Sequence, residues 1–379
     1  MKNWVIKIIL FSLILVLAKT TSALAMQGPN LRASSAILMD FTTGKVIFTK
    51  NSSERRAPAS TTKIITALVA LERGDLSRKI TTSQNASKMD GSSIWLAPGE
   101  EHTLEELLYA VLLNSGNDAS VAIAEGLAGS EDKFAAWMNE KAKTIGAKNT
   151  CFKNSNGLPE SGHYSTAYDL ALITRHALHN PVFAEIVKTK KKAIEWPGRE
   201  YDRLMVNHNK LLWRYEFADG VKTGYTRQAG KCLVASATKN GQQLIAVVLN
   251  SKQMYEDSKE LFEYGFNNYQ LLTVIESEQK IGSISVVEGV DDQVPVLSHR
   301  PVTLVIPRGQ EDQVQVKVEI PDSISAPVER LQEVGELEVK IGAKVIETVP
   351  VVTAADVPKE GFWRRFWNWL KGVLARQEA

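Results

Sequence analysis

The stretch APASTTKIITALVALERG spans residues 57–74 and fixes the starting point for the fold. After its first turn it is apolar on nearly all sides and Gly74 follows it, so it predicts a buried helix from Ser60 to Arg73. Residues three apart share a helix face, which brings the Ser60 hydroxyl to the Lys63 amine at the helix N-terminus. This pairing indicates a serine nucleophile whose base is a lysine and not a histidine.

Two further segments follow in the order that such acyl-transfer sites have, namely Ser115-Gly116-Asn117 and Lys222-Thr223-Gly224. A capping box at Thr103 and Glu106 begins an apolar helix that ends near Leu113. The Ser115 segment then breaks the helical pattern, and a second helical stretch runs from Asp118 to Leu127. We therefore expect Ser115 and Asn117 to enter a cleft from a turn between two helices.

Each of the first two motifs has a second match in the chain. Ser236-Ala237-Thr238-Lys239 fits the first pattern, but it ends a predicted strand at residues 232–238 before the hairpin signal Asn240-Gly241. A strand places residues three apart on opposite faces, which keeps this serine and lysine apart. Ser83-Gln84-Asn85 fits the second pattern within a polar segment at residues 81–88, which is typical of solvated surface.

Length and composition exclude several kinds of function. A chain of 379 residues can hold two domains, and its 45 basic and 43 acidic residues are dispersed with a net charge of +2, which gives no case for a nucleic-acid partner. His176 and His179 stand three apart without a matching third ligand, so no metal site is expected. A Gly-x-Ser-x-Gly elbow and a glycine-rich phosphate loop are both absent from the sequence, and no cofactor is expected.

The first 25 residues have the pattern of a signal peptide. Lys2 and Lys7 bracket Trp4 ahead of an apolar run at residues 8–18, and Ala23-Leu24-Ala25 supplies small residues for cleavage before Met26. The alternative is an uncleaved membrane anchor, and both alternatives export the body of the protein. An exported compartment permits disulfides, but nothing in the sequence brings Cys151 to Cys232, so two unpaired thiols are expected.

The order of predicted elements indicates an α/β (α+β) fold. Strands at residues 34–39 and 45–49 precede a helical middle from Ser60 to His179, and strands return at residues 232–238 and 244–249 before a helix at 255–266. This order predicts one antiparallel sheet flanked by helices, in a catalytic domain at residues 26–272. Five short alternating runs then predict a small β-rich domain at residues 273–357; they are residues 281–287, 302–306, 314–320, 337–341 and 344–349.

Residues 358–379 form an amphipathic tail. Phe362, Phe366 and Trp369 fall on one helical face, while Arg364 and Arg365 fall on the other. The segment is too short and too charged to span a bilayer, but tryptophans beside a basic face suit the membrane interface. The alternative is a terminal helix that packs on its own domain.

Three stretches carry a family resemblance: Ala57-Pro58-Ala59-Ser60-Thr61-Thr62-Lys63, Leu112-Leu113-Asn114-Ser115-Gly116-Asn117-Asp118-Ala119 and Asp219-Gly220-Val221-Lys222-Thr223-Gly224-Tyr225-Thr226. They resemble the low-molecular-mass penicillin-binding proteins, which are D-alanyl-D-alanine carboxypeptidases of the serine β-lactamase-like transpeptidase superfamily. Asn156-Gly157-Leu158, residues 164–169 and residues 207–212 add to the likeness, which covers the chain from about Leu31 to the tail. The family also has a β-rich second domain and a C-terminal amphipathic anchor.

The resemblance implies a role for each motif residue. Ser60 would form an acyl-enzyme with the carbonyl between two terminal D-alanines of peptidoglycan stem peptides, and Lys63 would take its proton. Ser115 would relay a proton to the departing D-alanine. For the substrate, Asn117 would hold an amide, and Lys222 with Thr223 and Gly224 would bind the terminal carboxylate, while the backbone N–H groups of Ser60 and Tyr225 would form an oxyanion hole.

The same resemblance implies that β-lactam antibiotics acylate Ser60. A class A β-lactamase would need a glutamate that activates the deacylating water, and the sequence has no clear equivalent, so slow release of penicillin is expected. Two alternatives remain open from the sequence: a DD-endopeptidase of crosslinked peptidoglycan, and a catalytically silent protein that binds penicillin or the wall. The expected location is the outer face of the cytoplasmic membrane.

Overall fold

The computed structural model describes residues 28–361. The predicted signal peptide at residues 1–25 and the aromatic tail from Phe362 onward lie outside the described residues. Within residues 28–361, none of the helices combines the length and apolar composition that crossing a bilayer requires.

A five-stranded antiparallel sheet organises the N-terminal part of the chain, in the order β2-β1-β9-β8-β7. Four shorter strands form two separate two-stranded sheets, β3 with β4 and β5 with β6. The strands of this part are β1 (Ser35–Asp40), β2 (Val46–Lys50), β3 (Lys79–Thr81), β4 (Glu101–Thr103), β5 (Lys191–Ile194), β6 (Arg203–Val206), β7 (Ala218–Thr226), β8 (Gly230–Lys239) and β9 (Gln242–Leu249). The two-residue turn Asn240-Gly241 joins β8 to β9 with both residues at positive φ, as the sequence predicted for a hairpin.

Helices fill the chain between β2 and β7 and follow β9. They are α1 (Lys63–Arg73), α2 (Gln84–Ser87), α3 (Leu104–Leu112), α4 (Asn117–Ala128), α5 (Glu131–Ile145), α6 (Ala167–Leu178), α7 (Pro181–Lys188), α8 (Leu211–Arg214) and α9 (Met254–Asn268). The first turn predicted for α1 is a separate 3-10 segment, Ala59–Thr62. Thr103 and Glu106 form the predicted capping box of α3.

The sheet is buried on both faces because side chains alternate along each strand. On β9, Ile245 and Val247 pack into the core shared with helices α1 and α3–α7, while Leu244 and Ala246 pack into a second core with α9. The predicted arrangement of an antiparallel sheet flanked by helices is therefore confirmed. The sheet's free edge β7 lies beside the 3-10 segment that carries Ser60.

A second, β-rich unit follows α9 and has its own core. Its strands are β10 (Tyr269–Ile275), β11 (Lys280–Val287), β12 (Gln293–Ser298), β13 (Val302–Pro307), β14 (Val314–Glu319), β15 (Ser323–Ser325), β16 (Glu333–Ile341) and β17 (Lys344–Thr353). Strands β10 and β13 pair together, and the others form a sheet in the order β14-β16-β17-β12-β11-β15. The predicted domain boundary at residues 272–273 falls within strand β10, and the position of this boundary stays a prediction.

The sequence did not predict all of these strands. Strand β12 was missed because Pro295, which lacks a backbone N–H, interrupts its apolar pattern. The first half of β16 was also missed, because Glu333 and Glu336 interrupt its apolar pattern ahead of the predicted run at residues 337–341. Both strands are held by pairing with neighbours distant in sequence, which a local pattern does not reveal.

Candidate active site

The amine of Lys63 lies 3.2 Å from the hydroxyl oxygen of Ser60. Lys63 begins α1 directly after the 3-10 segment, so the two side chains project from successive turns at the same end. The amine also donates to the Asn117 side-chain oxygen at 2.6 Å and to the Asn156 carbonyl oxygen at 2.6 Å. The structure thus brings together Ser60, Lys63 and Asn117, which the sequence placed in two separate motifs.

Burial makes the neutral form of Lys63 more favourable. Its side chain is fully buried, and this desolvation is the main cause that holds its pKa well below the ordinary value for lysine. The positive charge of Lys222 lowers the pKa further, whereas Asp118 and Glu131 oppose the shift. A neutral amine has two hydrogens and one lone pair. With its two hydrogens on Asn117 and Asn156, the lone pair remains for the Ser60 proton.

The turn at Ser115 enters the site as predicted from the sequence. Ser115 has a φ of 62°, a left-handed conformation that is uncommon outside glycine, and it lines the cleft. Asn117 begins α4, and its side-chain nitrogen donates to the Asp90 carbonyl while its backbone N–H donates to the Ser92 carbonyl. The side chain of Asn117 therefore bridges Lys63 to the loop at residues 90–96.

Strand β7 forms the opposite wall of the site. A Cβ atom on Gly224 would lie 3.0 Å from the Ser60 backbone nitrogen and 3.1 Å from that of Thr61, so only glycine allows this approach. Next to it, Thr223 lines the cleft and Tyr225 is 65% exposed at the cleft mouth. This arrangement sets the edge of β7 against the backbone N–H groups of Ser60 and Thr61 in the 3-10 segment.

Lys222 lies beneath the cleft and not in its lining. It is 1% exposed, and its amine donates to the Thr223 carbonyl at 2.9 Å. Burial lowers the pKa of Lys222 to about 7, so the charged and neutral forms are both accessible near neutral pH. Burial is the main cause that lowers the pKa values of Lys63 and His208, and the Lys222 charge, acting through the low-dielectric interior, lowers both further.

A loop that the sequence analysis did not assign to the site holds the Lys63 amine from the other side. Gly157, at a φ of +84°, approaches the Ala59 carbonyl so closely that a Cβ would lie 2.0 Å from that oxygen. Glu131 accepts hydrogen bonds from the Ser155 backbone and hydroxyl at 2.9 and 2.7 Å. The loop thereby fixes the Asn156 carbonyl. In the sequence, residues 156–158 contributed to the family likeness but had no assigned role.

His163 contacts the 3-10 segment that carries Ser60. Its Nδ1 accepts a hydrogen bond from the Lys153 backbone, so Nε2 carries the proton and donates to the Thr62 hydroxyl at 2.9 Å. Burial lowers the pKa of His163 to about 4, which keeps the ring neutral at physiological pH. Nothing in the local sequence identifies this contact, because its two partners are about a hundred residues apart.

Asp118 organises the loop that faces Ser115. Its carboxylate accepts hydrogen bonds from the Ser93 hydroxyl at 2.6 Å and from the backbone N–H groups of Ile94 and Leu96 at 3.1 Å. This buried carboxylate thus fixes the loop at residues 90–96. The sequence contained a signal for it, since Asp118 follows the Ser115 motif directly at a helix N-terminus.

Above these residues is an open cleft of about 360 Å³. Residues that line it are Ser60, Ser92, Ser115, His208, Thr223, Gly224, Tyr225, Lys231, Met254 and Tyr255. Of the motif residues, Ser60, Ser115, Thr223 and Gly224 line the cleft, and His208 with Tyr255 extends one side. His208 belongs to the likeness at residues 207–212, but its position in the cleft was not predicted.

The second matches to the motifs lie elsewhere. Ser236 is buried inside β8, and Lys239 is at the end of that strand, where its amine lies over the Phe217 ring. Ser83 caps the short helix α2 and bonds to Glu125. Structural placement therefore separates the motif residues from their chance counterparts.

The structure also shows the neighbours of the two histidines and the state of the two cysteines that the sequence singled out. His176 contacts Glu72 at 3.4 Å, and His179 packs against the Phe41 ring, so the two histidines have different neighbours. Cys151 and Cys232 are free thiols, as expected from the sequence.

Comparison with known proteins gives the family. A family model described as D-alanyl-D-alanine carboxypeptidase matches residues 21–253. The chain belongs to this family. A second family model, the C-terminal domain of penicillin-binding protein 5, matches residues 269–359. The protein is accordingly a serine hydrolase of the DD-carboxypeptidase family, and the resemblance that its motifs carry is confirmed.

Individual relatives span nearly the whole chain. D-alanyl-D-alanine carboxypeptidase DacF of Bacillus subtilis is 38% identical over 353 residues, which cover 91% of this chain and 89% of the relative. DacA of Escherichia coli is 33% identical over 359 residues, which cover 90% and 88%. The solved structure of penicillin binding protein 5 from Haemophilus influenzae has a TM-score of 0.77 at 30% identity, and the match covers 88% of this chain and 99% of that one.

Proposed function

We propose that this DD-carboxypeptidase removes the terminal D-alanine from peptidoglycan pentapeptides through an acyl-enzyme on Ser60. The observation that carries the proposal is the buried Lys63 amine 3.2 Å from the Ser60 oxygen, with Asn117 and Asn156 as acceptors for its two hydrogens. This geometry supports a lone pair aimed at the serine proton. A serine hydroxyl needs such a base because it is a poor nucleophile at neutral pH.

The first half of the reaction forms the acyl-enzyme. The Ser60 proton moves to Lys63 as the serine oxygen bonds to the carbonyl carbon between the two D-alanines. The resulting oxyanion accepts hydrogen bonds from the backbone N–H groups of Ser60 and Tyr225, and the close approach at Gly224 supports this pairing. The C–N bond then breaks, and Lys63 gives its proton through the Ser115 hydroxyl to the D-alanine nitrogen, which leaves the amine neutral again. The position of Ser115 in the cleft lining supports that role.

In the second half, water attacks the acyl carbon and Lys63 again takes the proton. The C–O bond to Ser60 breaks, and the shortened peptide leaves with a new carboxylate. The serine regains its proton from Lys63, so the site returns to its starting state. Because each step uses the same buried amine, loss of its neutral form stops both halves.

Substrate orientation comes from the groups around Ser60. Thr223 lines the cleft, and the Lys222 charge below it favours a terminal carboxylate on this side. His208 lines the same side and is close enough to Lys222 for that charge to lower its pKa. Asn117 already has two protein partners, but each end of its amide can form one more hydrogen bond with the substrate.

Penicillins are proposed to acylate the same serine because their strained amide resembles the terminal dipeptide. The experiment is mass spectrometry of penicillin-treated protein, in which an adduct on the peptide that contains Ser60 is expected. Ser60→Ala should abolish the adduct, and Lys63→Arg, which keeps the charge but does not deprotonate, should do the same. An adduct retained by Ser60→Ala would exclude this nucleophile.

Product analysis separates carboxypeptidase from endopeptidase action. A pentapeptide should release free D-alanine, and a crosslinked muropeptide should be cut more slowly. Faster cleavage of the crosslink would favour the endopeptidase. Steady rapid turnover of a β-lactam would instead indicate a β-lactamase.

We further propose that the protein is exported and acts at the outer face of the cytoplasmic membrane. Support comes from the sequence pattern before Met26 and from the aromatic and basic residues after Pro358. Deletion of residues 359–379 should move the protein from the membrane fraction to the soluble fraction. Retention on membranes without these residues would contradict the proposed anchor.

A further inference from the structure

A basic hairpin lies directly beside the cleft. Four lysines, Lys188, Lys190, Lys191 and Lys192, occur between Glu185 and Glu195 without an intervening acidic residue. They span the end of α7 and the strand β5. Among the ion pairs within the described residues, none includes these four lysines. Lys188 lines a separate depression with Glu185 and Asp219. The positive charge that the hairpin itself presents without an ion-pair partner among the described residues therefore lies on Lys190, Lys191 and Lys192.

One face of this hairpin is both exposed and apolar. Leu204 and Val206 on β6 are 60% and 38% exposed. Their partners across the hairpin are Ala193 and Lys191, which point to the same side and are also exposed. Trp213 is 46% exposed nearby, with the Lys190 amine 5.9 Å from its ring centre. Large apolar side chains held in solvent in this way are typical of an interaction surface.

The exposed face is continuous with the cleft. Side chains alternate along β6 and the residues after it, so Leu204, Val206 and His208 lie on one side while Met205 and Asn207 are buried. His208 lines the cleft itself. At about 3.3 Å per residue, the row from His208 to Leu204 extends about 13 Å beyond the cleft.

We propose that this hairpin surface, formed by Lys190, Lys191, Leu204, Val206 and Trp213, binds the peptidoglycan polymer outside the stem peptide that occupies the cleft. The inference rests on the proposed function for the identity of the polymer. Peptidoglycan carries carboxylates on its stem peptides, which complement the unneutralised lysines. Its sugar rings present C–H faces that can pack on Trp213 and on the apolar pair of β6.

Acidic residues restrict where the polymer can bind. Glu195, Glu200 and Asp202 lie at the tip of the hairpin and outnumber Arg199, so the net negative charge there opposes an anionic ligand. Lys190 and Lys191 lie at the base of the hairpin, where Lys190 is next to Trp213 and Lys191 is opposite Val206. The bound strand should therefore contact the base of the hairpin, and the tip should be free of it.

The test measures binding separately from catalysis. In a Ser60→Ala background, the double variant Lys190→Gln with Lys191→Gln should bind purified insoluble sacculi about tenfold more weakly at low salt. With Ser60 intact, the kcat/KM of the double variant on a short N-acylated peptide ending in D-Ala-D-Ala should change less than about twofold, since each lysine acts outside the cleft. High salt should remove most of the binding difference.

A matched control distinguishes the surface from net charge. Lys143→Gln with Lys148→Gln removes the same charge from exposed positions elsewhere and should leave binding to sacculi unchanged. Leu204→Ser with Val206→Ser should weaken binding at both low and high salt, because that contact is apolar.

Several results would overturn the inference. Equal losses of binding in the control variant, unchanged binding of the hairpin variant, or an equal loss of kcat/KM on the short peptide would each do so. Loss of binding to anionic lipid vesicles with unchanged binding to sacculi would identify a membrane surface instead. Because binding is measured with Ser60→Ala, a failure of the proposed reaction is seen separately, as absent D-alanine release by the protein with Ser60 intact.

Discussion

The carbonyl oxygen of Asn156 lies 2.6 Å from the amine of Lys63. Together with Asn117, it gives the amine two acceptors and aligns the remaining position with Ser60. Glu131 holds the loop that carries Asn156, and its negative charge also raises the pKa of Lys63 against the effect of burial. Glu131 therefore affects both the hydrogen bonding of the Lys63 amine and its pKa.

Glu131→Gln should move the acidic limb of the pH profile for acylation to lower pH. The glutamine oxygen can still accept the Ser155 hydrogen bonds, but the negative charge that raises the Lys63 pKa is gone. A lower pKa leaves more neutral amine at a given pH below the pKa. The measurement is the rate of acylation by a fluorescent penicillin from about pH 5 to about pH 9.

Lys222→Met should shift the pH profile for acylation in the opposite direction. Without the neighbouring positive charge, the pKa of Lys63 rises and the acidic limb should move to higher pH. The same acylation assay measures this shift. Shifts of both variants in the same direction would show that these charges do not act through Lys63.

Gly224→Ala should reduce the acylation rate about a hundredfold, which is the usual cost of losing an oxyanion donor. The new methyl group would lie 3.0 Å from the Ser60 nitrogen and would push β7 away from the 3-10 segment at residues 59–62. The rate is measured by fluorescent penicillin labelling, and Tm is measured beside it. Gly282→Ala, where the nearest atom is 3.5 Å away, is the control and should label normally. Normal labelling of Gly224→Ala would argue against this oxyanion geometry.

His163 should make the protein less stable in mild acid. Its pKa is about 4 in the folded state and near 6.5 when unfolded, so the unfolded state binds more protons between these values. The free energy of unfolding should therefore fall as pH drops from 6.5 to about 4, by at most about 3 kcal/mol from this group. Urea unfolding at several pH values measures the slope.

His163→Gln should remove the part of the pH dependence of the free energy of unfolding that comes from His163, because glutamine does not titrate. His176→Gln is the control, since that ring is half-exposed and lies 3.4 Å from Glu72. An unchanged slope in His163→Gln would exclude His163 as its source.

A chain that ends at Asn268 should fold and react with penicillin at a rate within about twofold of the full chain. Among the described residues, neither core beside the five-stranded sheet uses a residue beyond Phe266. This truncation removes the hydrogen bonds from the Lys45 amine to the Val305 carbonyl and from the Arg308 guanidinium to the Phe266 carbonyl, which lie outside both cores. A penicillin-labelling time course is the measurement.

Ending the chain at Leu249 removes α9 and exposes one face of the sheet, so that shorter chain should aggregate. If the chain ending at Asn268 also aggregates, the β-rich unit is part of the folding unit and not a separate domain.

Much of the fold and site could be predicted from local pattern. The apolar run after Ser60 predicted a helix, the Asn240-Gly241 pair predicted a hairpin, and the three motifs identified the residues that meet at the cleft floor. Strand β12 and the loop at Asn156 could not be predicted, because their positions depend on partners distant in the chain. The position of Lys222 below the cleft was also outside the reach of a motif.

The sequence by itself determined which residue types stand at each motif and that Ser60 and Lys63 share one end of a helix. Spacing of three along a helix is a local property, so no tertiary information was needed. Only the tertiary structure decided the direction in which the pKa of Lys63 is shifted. Complete burial of Lys63, the nearby charges of Lys222 and Glu131, and the Asn156 carbonyl come from segments far apart in sequence. A pKa responds to the environment in space, and packing alone creates that environment.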